Sequence, residues 1–113
     1  MAEIIKMRSA SVTKPVSQIA DEVKSVMSAE LVCDERKLND RVVILCFEEF
    51  YLRCSSYVGL SVMLTEDDAG QEAVIAGFGG GDGFLNISWG ANKSITKSVI
   101  KVLKENGFEI IEE

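Results

Sequence analysis

The segment from Val42 to Phe47 is apolar at every position, and it constrains the fold more than any other part of the chain. It belongs to a stretch rich in β-branched and aromatic residues, which predicts a strand over residues 41–53. A strand with one solvated face alternates apolar and polar residues, and this one does not, so both of its faces need cover. Helices can cover one face. The other needs a long loop, a curled sheet or a second subunit, and we expect a homodimer or another subunit contact.

The segments around this strand predict further strands. Residues 57–65 mostly alternate, and Met63 is the apolar exception on the side that carries Ser61 and Thr65. Glu66–Gly70 is typical of a hairpin turn, so residues 72–78 are predicted to return as a paired strand. Other short strands are predicted at residues 3–8, 84–89 and 108–111, and residues 31–37 are ambiguous.

Two segments have the three- and four-residue spacing of apolar residues that predicts an amphipathic helix. The first covers residues 15–28, with Thr13 as a candidate cap and Pro15 in the first turn. Its predicted buried stripe is Val16, Ile19, Ala20, Val23, Val26 and Met27. The second covers residues 93–106 after Asn92 and ends at Gly107, as helices often end at glycine. Its predicted stripe is Ile95, Val99, Val102 and Leu103.

The order of these elements predicts an α+β fold in one domain, residues 1–113. Consecutive strands joined by short turns pair as a meander, and two amphipathic helices pack on one face of the sheet. We therefore expect a two-layer sandwich with a mainly antiparallel sheet. The order also resembles the TATA-binding-protein-like topology, a likeness of fold that carries no function with it.

Composition excludes several classes of protein. The formal net charge of −6 argues against a dedicated nucleic-acid-binding protein. No apolar run approaches the ~20 residues that span a membrane, and the start of the chain is not a signal peptide. The chain has no histidine and no recognisable acid–base constellation, so an enzyme is disfavoured and we expect no metal and no cofactor. Three cysteines, Cys33, Cys46 and Cys54, fit reduced thiols in the cytoplasm, with Cys46 as a small core residue.

A glycine-rich run occupies residues 77–83, where five of seven residues are glycine. It completes neither a dinucleotide-binding fingerprint nor a P-loop. We favour a long hairpin turn or a bulged strand that permits close packing. The alternative is a loop whose backbone N–H groups bind an anion. The candidate ligand-binding residues are Gly79, Gly80, Gly81, Asp82, Gly83, Trp89 and Lys93.

The second predicted helix carries a row of lysines. At ~100° per residue, Lys93, Lys97, Lys101 and Lys104 fall within about 80° of one another. Like charges at this spacing destabilise a helix slightly. The row is either a site for an acidic partner or a phosphate-bearing ligand, or a solvated face balanced by carboxylates elsewhere in the fold, and we favour the second interpretation. Ile100 lies on the lysine side and is a candidate contact for a partner.

The stretch from Ala76 to Gly90 contains a glycine triplet and a Trp-Gly pair, and an amphipathic helix follows it. It resembles a segment of an uncharacterised family of small bacterial proteins, with a likeness over about residues 30–113. The resemblance implies architecture and no activity. We expect a non-enzymatic interaction or structural module that self-associates, and the alternative is a small anionic-ligand binder that uses residues 77–83 and the start of the last helix.

Overall fold

Six strands form one antiparallel sheet, which confirms the predicted α+β fold. The computed structural model describes residues 3–27, 32–37, 41–51, 56–79 and 96–112. The strands are β1 (Glu3–Ser9), β2 (Val32–Lys37), β3 (Val42–Tyr51), β4 (Ser56–Asp67), β5 (Gly70–Gly79) and β6 (Glu109–Glu112). The helices are α1 (Val16–Ser25) and α2, which is described over residues 96–105.

The sheet order is β2-β3-β4-β5-β1-β6. The meander predicted from the short turns is therefore present in β2 to β5. The segment that the sequence left ambiguous, residues 31–37, contains its first strand, β2. The hairpin between β4 and β5 is tighter than predicted, because pairing continues to Asp67 and Gly70 and leaves only Asp68 and Ala69 in the turn. The Asp67 side chain stabilises the turn by accepting a hydrogen bond from the Ala69 backbone N–H at 2.8 Å.

One face of the sheet and both helices share a single apolar core. Its strand residues alternate along each strand, as the pleat requires, and they are Ile5, Met7, Val43, Leu45, Phe47, Leu60, Val62, Leu64, Ala73 and Ile75. Its helix residues are Val16, Ile19, Ala20, Val23, Val99, Val102 and Leu103. Both helices therefore lie on the same face, and the predicted two-layer arrangement is confirmed.

The limits of α1 differ from the prediction at both ends. The cap is Pro15 and not Thr13, because the Pro15 carbonyl accepts the first hydrogen bonds, from the N–H groups of Gln18 at 3.1 Å and Ile19 at 3.2 Å. The helix ends at Ser25. Val26 then leaves the helical stripe and is 47% exposed instead of buried.

Helix α2 ends as predicted, at Gly107, which has a positive φ of 89°. The Phe108 N–H donates to the Leu103 carbonyl at 3.0 Å, and the Gly107 N–H donates to the Lys104 carbonyl at 3.1 Å. This pair of bonds is the Schellman motif. It turns the chain so that Phe108 enters the core, where it is 2% exposed, and so that β6 begins beside β1.

Glu22 links α1 to the segment before it and to the end of α2. Its carboxylate accepts hydrogen bonds from Lys14 Nζ at 2.7 Å and from Asn106 Nδ2 at 3.3 Å. The hydrogen bond from Lys14 is the main reason that the pKa of Glu22 lies below its usual value, and partial burial opposes this shift. A carboxyl with a lowered pKa in the folded state stabilises the fold above the pKa that it has when unfolded.

We expect Glu22→Gln to lower the free energy of unfolding by up to about 1 kcal/mol at pH 7, since the pair is partly exposed. As the pH falls through the lowered pKa of folded Glu22, the wild type loses this stabilisation, so the difference between the two proteins should disappear. Urea unfolding at neutral and acidic pH measures both effects. Asp21→Asn is the matched control, because Asp21 pairs with Lys24 within one exposed helix turn and should contribute only ~0.3 kcal/mol. A difference that is the same at both pH values would contradict the prediction.

Candidate interaction surface

The face of the sheet opposite the helices carries an apolar centre that no described element covers. We call this face the open face. In one row across the strands, Ile44 pairs with Met63, and Met63 pairs with Val74. In the next row, Cys46 and Ala76 flank Ser61, and Ile4 follows beside Ala76. The apolar centre consists of Ile4, Ile44, Cys46, Met63, Val74 and Ala76.

The degree of exposure shows that this centre is in contact with solvent. Ile4 is 49% exposed and Met63 is 37% exposed. Ile44, Val74 and Ala76 are half-buried, since neighbouring strands cover their sides. The apolar segment in β3 thus has one face in the core and the other on the open face, and the predicted cover of this second face stays a prediction.

Cys46 is exposed, and the prediction that it is a core residue was wrong. Val43, Leu45 and Phe47 occupy the core face of β3, so the strand alternation places Cys46 on the other side. An apolar run shows that two faces are apolar and does not show which one the helices cover.

Ion pairs match the charged groups of β1 beside the apolar centre. Lys6 pairs with Glu112 at 3.1 Å across β1 and β6. Arg8 donates a hydrogen bond to Glu72 at 3.2 Å and lies 3.9 Å from Asp67. The cations of β1 on this face are therefore matched by carboxylates of the same chain, and this part of the face carries little net charge although the whole chain is acidic.

The edges of the sheet are poor sites for pairing with another chain. Four of the six residues in β2 are charged, and β6 is only four residues long with a glutamate at each end. Short and charged edge strands discourage edge-to-edge association. The described edges are therefore less suited to association than the open face.

The glycine-rich run lies only partly within the described residues. Gly77 and Gly79 belong to β5, where Gly77 is buried and pairs with Leu60. The start of the run is thus strand and not loop. The other proposed ligand-binding residues, Gly80, Gly81, Asp82, Gly83, Trp89 and Lys93, lie outside the described residues, so an anion site there stays a prediction.

Three of the four predicted lysines lie on α2. Lys97, Lys101 and Lys104 are exposed, and the fourth, Lys93, lies outside the described residues. Because the apolar stripe of α2 faces the core, these lysines lie on the side of the molecule away from the open face. Within the described ranges no cluster of side chains could hold a metal ion, and no helix is long and apolar enough to cross a membrane.

Gln71 is a structural residue that the sequence did not point to. It is 1% exposed, and its Nε2 donates to the Lys14 carbonyl at 2.7 Å and to Glu66 Oε1 at 2.9 Å. The bond to Lys14 fastens the β4–β5 hairpin to the segment before α1, and the bond to Glu66 joins the two strands of the hairpin. Gln71 lies one residue before the predicted strand of residues 72–78, so the strand pattern gave no signal of its burial.

Comparison with known proteins identifies a family for the chain. A family model described as "Family of unknown function (DUF6054)" covers residues 1–107. The match confirms the predicted resemblance to an uncharacterised family and extends it to the start of the chain. No curated protein and no solved structure matches the chain.

Proposed function

The chain belongs to this family of unknown function, and from its structure we propose that it is a non-enzymatic interaction module that self-associates through the open face. The observation that carries the proposal is the apolar centre on the described strands. Large contiguous patches of exposed apolar surface are uncommon on monomers, and they are typical of interaction sites. Covering them removes apolar surface from water, which is the main driving force of protein association.

Charge favours a second copy of the chain as the occupant. The net charge of −6 makes two copies repel each other in most orientations. The β1 side of the open face is an exception, because the ion pairs of Lys6 and Arg8 leave little net charge there. Lys6 and Arg8 of β1 are both paired on this face, so β1 provides no unpaired charge that would attract a strongly acidic or basic partner.

The geometry also suits a homodimer. Two sheets pack face to face about 10 Å apart, and a twofold axis brings the same surface of each copy together. Four strands that are ~4.8 Å apart and ~33 Å long give the open face a flat area of roughly 600 Å². The side chains add to this area, because they make the surface uneven. A standard interface buries about 800 Å² on each partner, so the open face is large enough to contribute most of one.

Met63→Glu tests this proposal, because Met63 lies on a central strand within the apolar centre. Light scattering of the wild type should give twice the chain mass of 12.4 kDa. A buried, unpaired carboxylate costs at least ~2 kcal/mol, so the variant should raise the dimer dissociation constant at least 30-fold. Gln18→Glu is the matched control, since it adds the same charge at an exposed position of α1 and should leave the dimer intact.

The Cys46 thiol provides a second measurement. In the dimer it is covered, so its alkylation rate, followed by peptide mass spectrometry, should fall as protein concentration rises. In Met63→Glu the rate should stay constant over the same concentrations. A wild-type protein that has the mass of one chain at about 1 mM, where even micromolar affinity gives full association, would overturn the proposal.

A further inference from the structure

The outward face of α2 holds three lysines for which the described part of the chain shows no ion pair. Among the side chains that the structure describes, five other lysines and arginines each lie within 4.0 Å of a carboxylate oxygen: Lys6, Arg8, Lys14, Lys24 and Arg41. Lys97, Lys101 and Lys104 form no such pair within the described ranges. The interpretation that carboxylates elsewhere in the fold balance this row therefore has no support from these residues.

These lysines surround an open groove that also has an apolar contact. The groove is shallow and wide open to solvent, with a volume of about 440 Å³, and its lining is Lys97, Ile100, Lys101, Lys104 and Glu105, so three cations outnumber one carboxylate. Ile100 is half-buried against the core, so it presents a fixed apolar surface between flexible cationic side chains. At 1.5 Å per residue the lysine row spans ~10 Å along the helix, with ~6 Å between Lys97 and Lys101.

We propose that this face of α2 docks an acidic segment of a partner protein. Carboxylates four residues apart on a helix, or two apart on an extended chain, have the ~6–7 Å spacing that matches Lys97 and Lys101. One apolar side chain of the segment packs on Ile100. Each exposed ion pair contributes little, so binding is weak, depends on salt, and gains specificity from the apolar contact.

Other anionic partners fit this surface less well. A membrane-binding helix needs an exposed apolar face, and the apolar face of α2 is buried in the core. Nucleic acid would meet a protein of net charge −6 with only a short basic row. A second copy bound here through its own acidic surface would make a heterologous contact, which extends into rings or filaments instead of closing as a dimer.

The test is NMR titration of the full chain with a helical peptide that has glutamates four residues apart and one leucine between them. We expect amide shifts confined to residues 97–105 and saturation in low salt, with affinity at least 10-fold weaker in 0.5 M salt. The same peptide with alanine in place of leucine should bind about 3- to 10-fold more weakly, since a buried side chain of this size contributes ~1 kcal/mol.

The double variant Lys97→Glu, Lys101→Glu should abolish the shifts and leave the mass of the wild-type assembly unchanged, which separates this site from the open face. Lys24→Glu, Arg41→Glu changes the net charge equally at paired positions and should keep the binding. An equal loss of peptide binding in both variants would show a general charge effect and overturn the proposal. Stronger binding to phosphatidylserine vesicles or to single-stranded DNA than to the peptide would overturn it as well.

Discussion

Gly70→Ala should lower the free energy of unfolding by about 3–5 kcal/mol, because two costs combine at this position. Gly70 has a φ of +142°, a conformation that side chains disfavour. A Cβ atom there would also overlap the carbonyl oxygen of Ser9 in β1. The β4–β5 hairpin and β1 approach each other this closely because Ser9 pairs with the next residue, Gln71. Relief of the overlap would therefore move the hairpin away from β1.

Gly107→Ala is the matched comparison, since it makes the same change at another glycine with positive φ. Among the described residues, a Cβ atom at Gly107 would come closest to the hydroxyl oxygens of Ser9 and Ser11, at 3.3 and 3.4 Å. The Ser9 hydroxyl donates a hydrogen bond to the Ser11 carbonyl, so it would shift slightly and not turn away. The cost should be mainly the backbone strain, about 1–2 kcal/mol. Urea unfolding followed by circular dichroism measures both variants. If Gly70→Ala lowers the free energy of unfolding no more than Gly107→Ala does, the hairpin does not approach β1 as closely as described.

Phe108→Ala should cost about 3–5 kcal/mol, the range for deletion of a buried aromatic ring. Phe108 joins the end of α2 to β6 and belongs to the core that both helices share with the sheet. Its position depends on the Schellman motif, because the Phe108 N–H is bonded to the Leu103 carbonyl. A cavity at this place would loosen α2 and β6 together.

Two comparisons make the Phe108 prediction specific. Phe108→Leu keeps most of the volume and should cost less than about 1.5 kcal/mol. Ile111→Ala removes a large apolar side chain from β6 that is 55% exposed, and it should cost no more than about 0.5 kcal/mol. Thermal and urea unfolding of the three variants provide the test. Similar losses for Phe108→Ala and Ile111→Ala would show that Phe108 is not part of the core.

Much of the fold could be predicted from local patterns. The spacing of Ile19 and Val23 predicted α1, and Gly107 predicted the end of α2, because helix periodicity and helix capping depend on residues close in sequence. The alternation through Leu60, Val62 and Leu64 likewise predicted β4 and its buried side. The predicted cap of α1, Thr13, was wrong. Proline and threonine both suit a helix start, and in the structure the Pro15 carbonyl accepts the first hydrogen bonds.

The candidate surfaces were predicted less completely. The double apolar character of residues 42–47 indicated a second interface, and the lysine spacing indicated a basic face. Neither pattern identifies which residues of other strands or helices contact a given side chain. The exposure of Cys46, the burial of Gln71 and the absence of described ion pairs at the lysines of α2 all depend on contacts between residues distant in sequence.

The sequence by itself determined which residues share a face, since the periods of a helix and of a strand follow from backbone geometry alone. It also determined where the backbone needs glycine at the end of α2. Only the tertiary structure decided which face of β3 the helices cover and which charges find partners. The physical reason is that burial and ion pairing are properties of the assembled layers, where strand order and register bring together side chains that no local pattern relates.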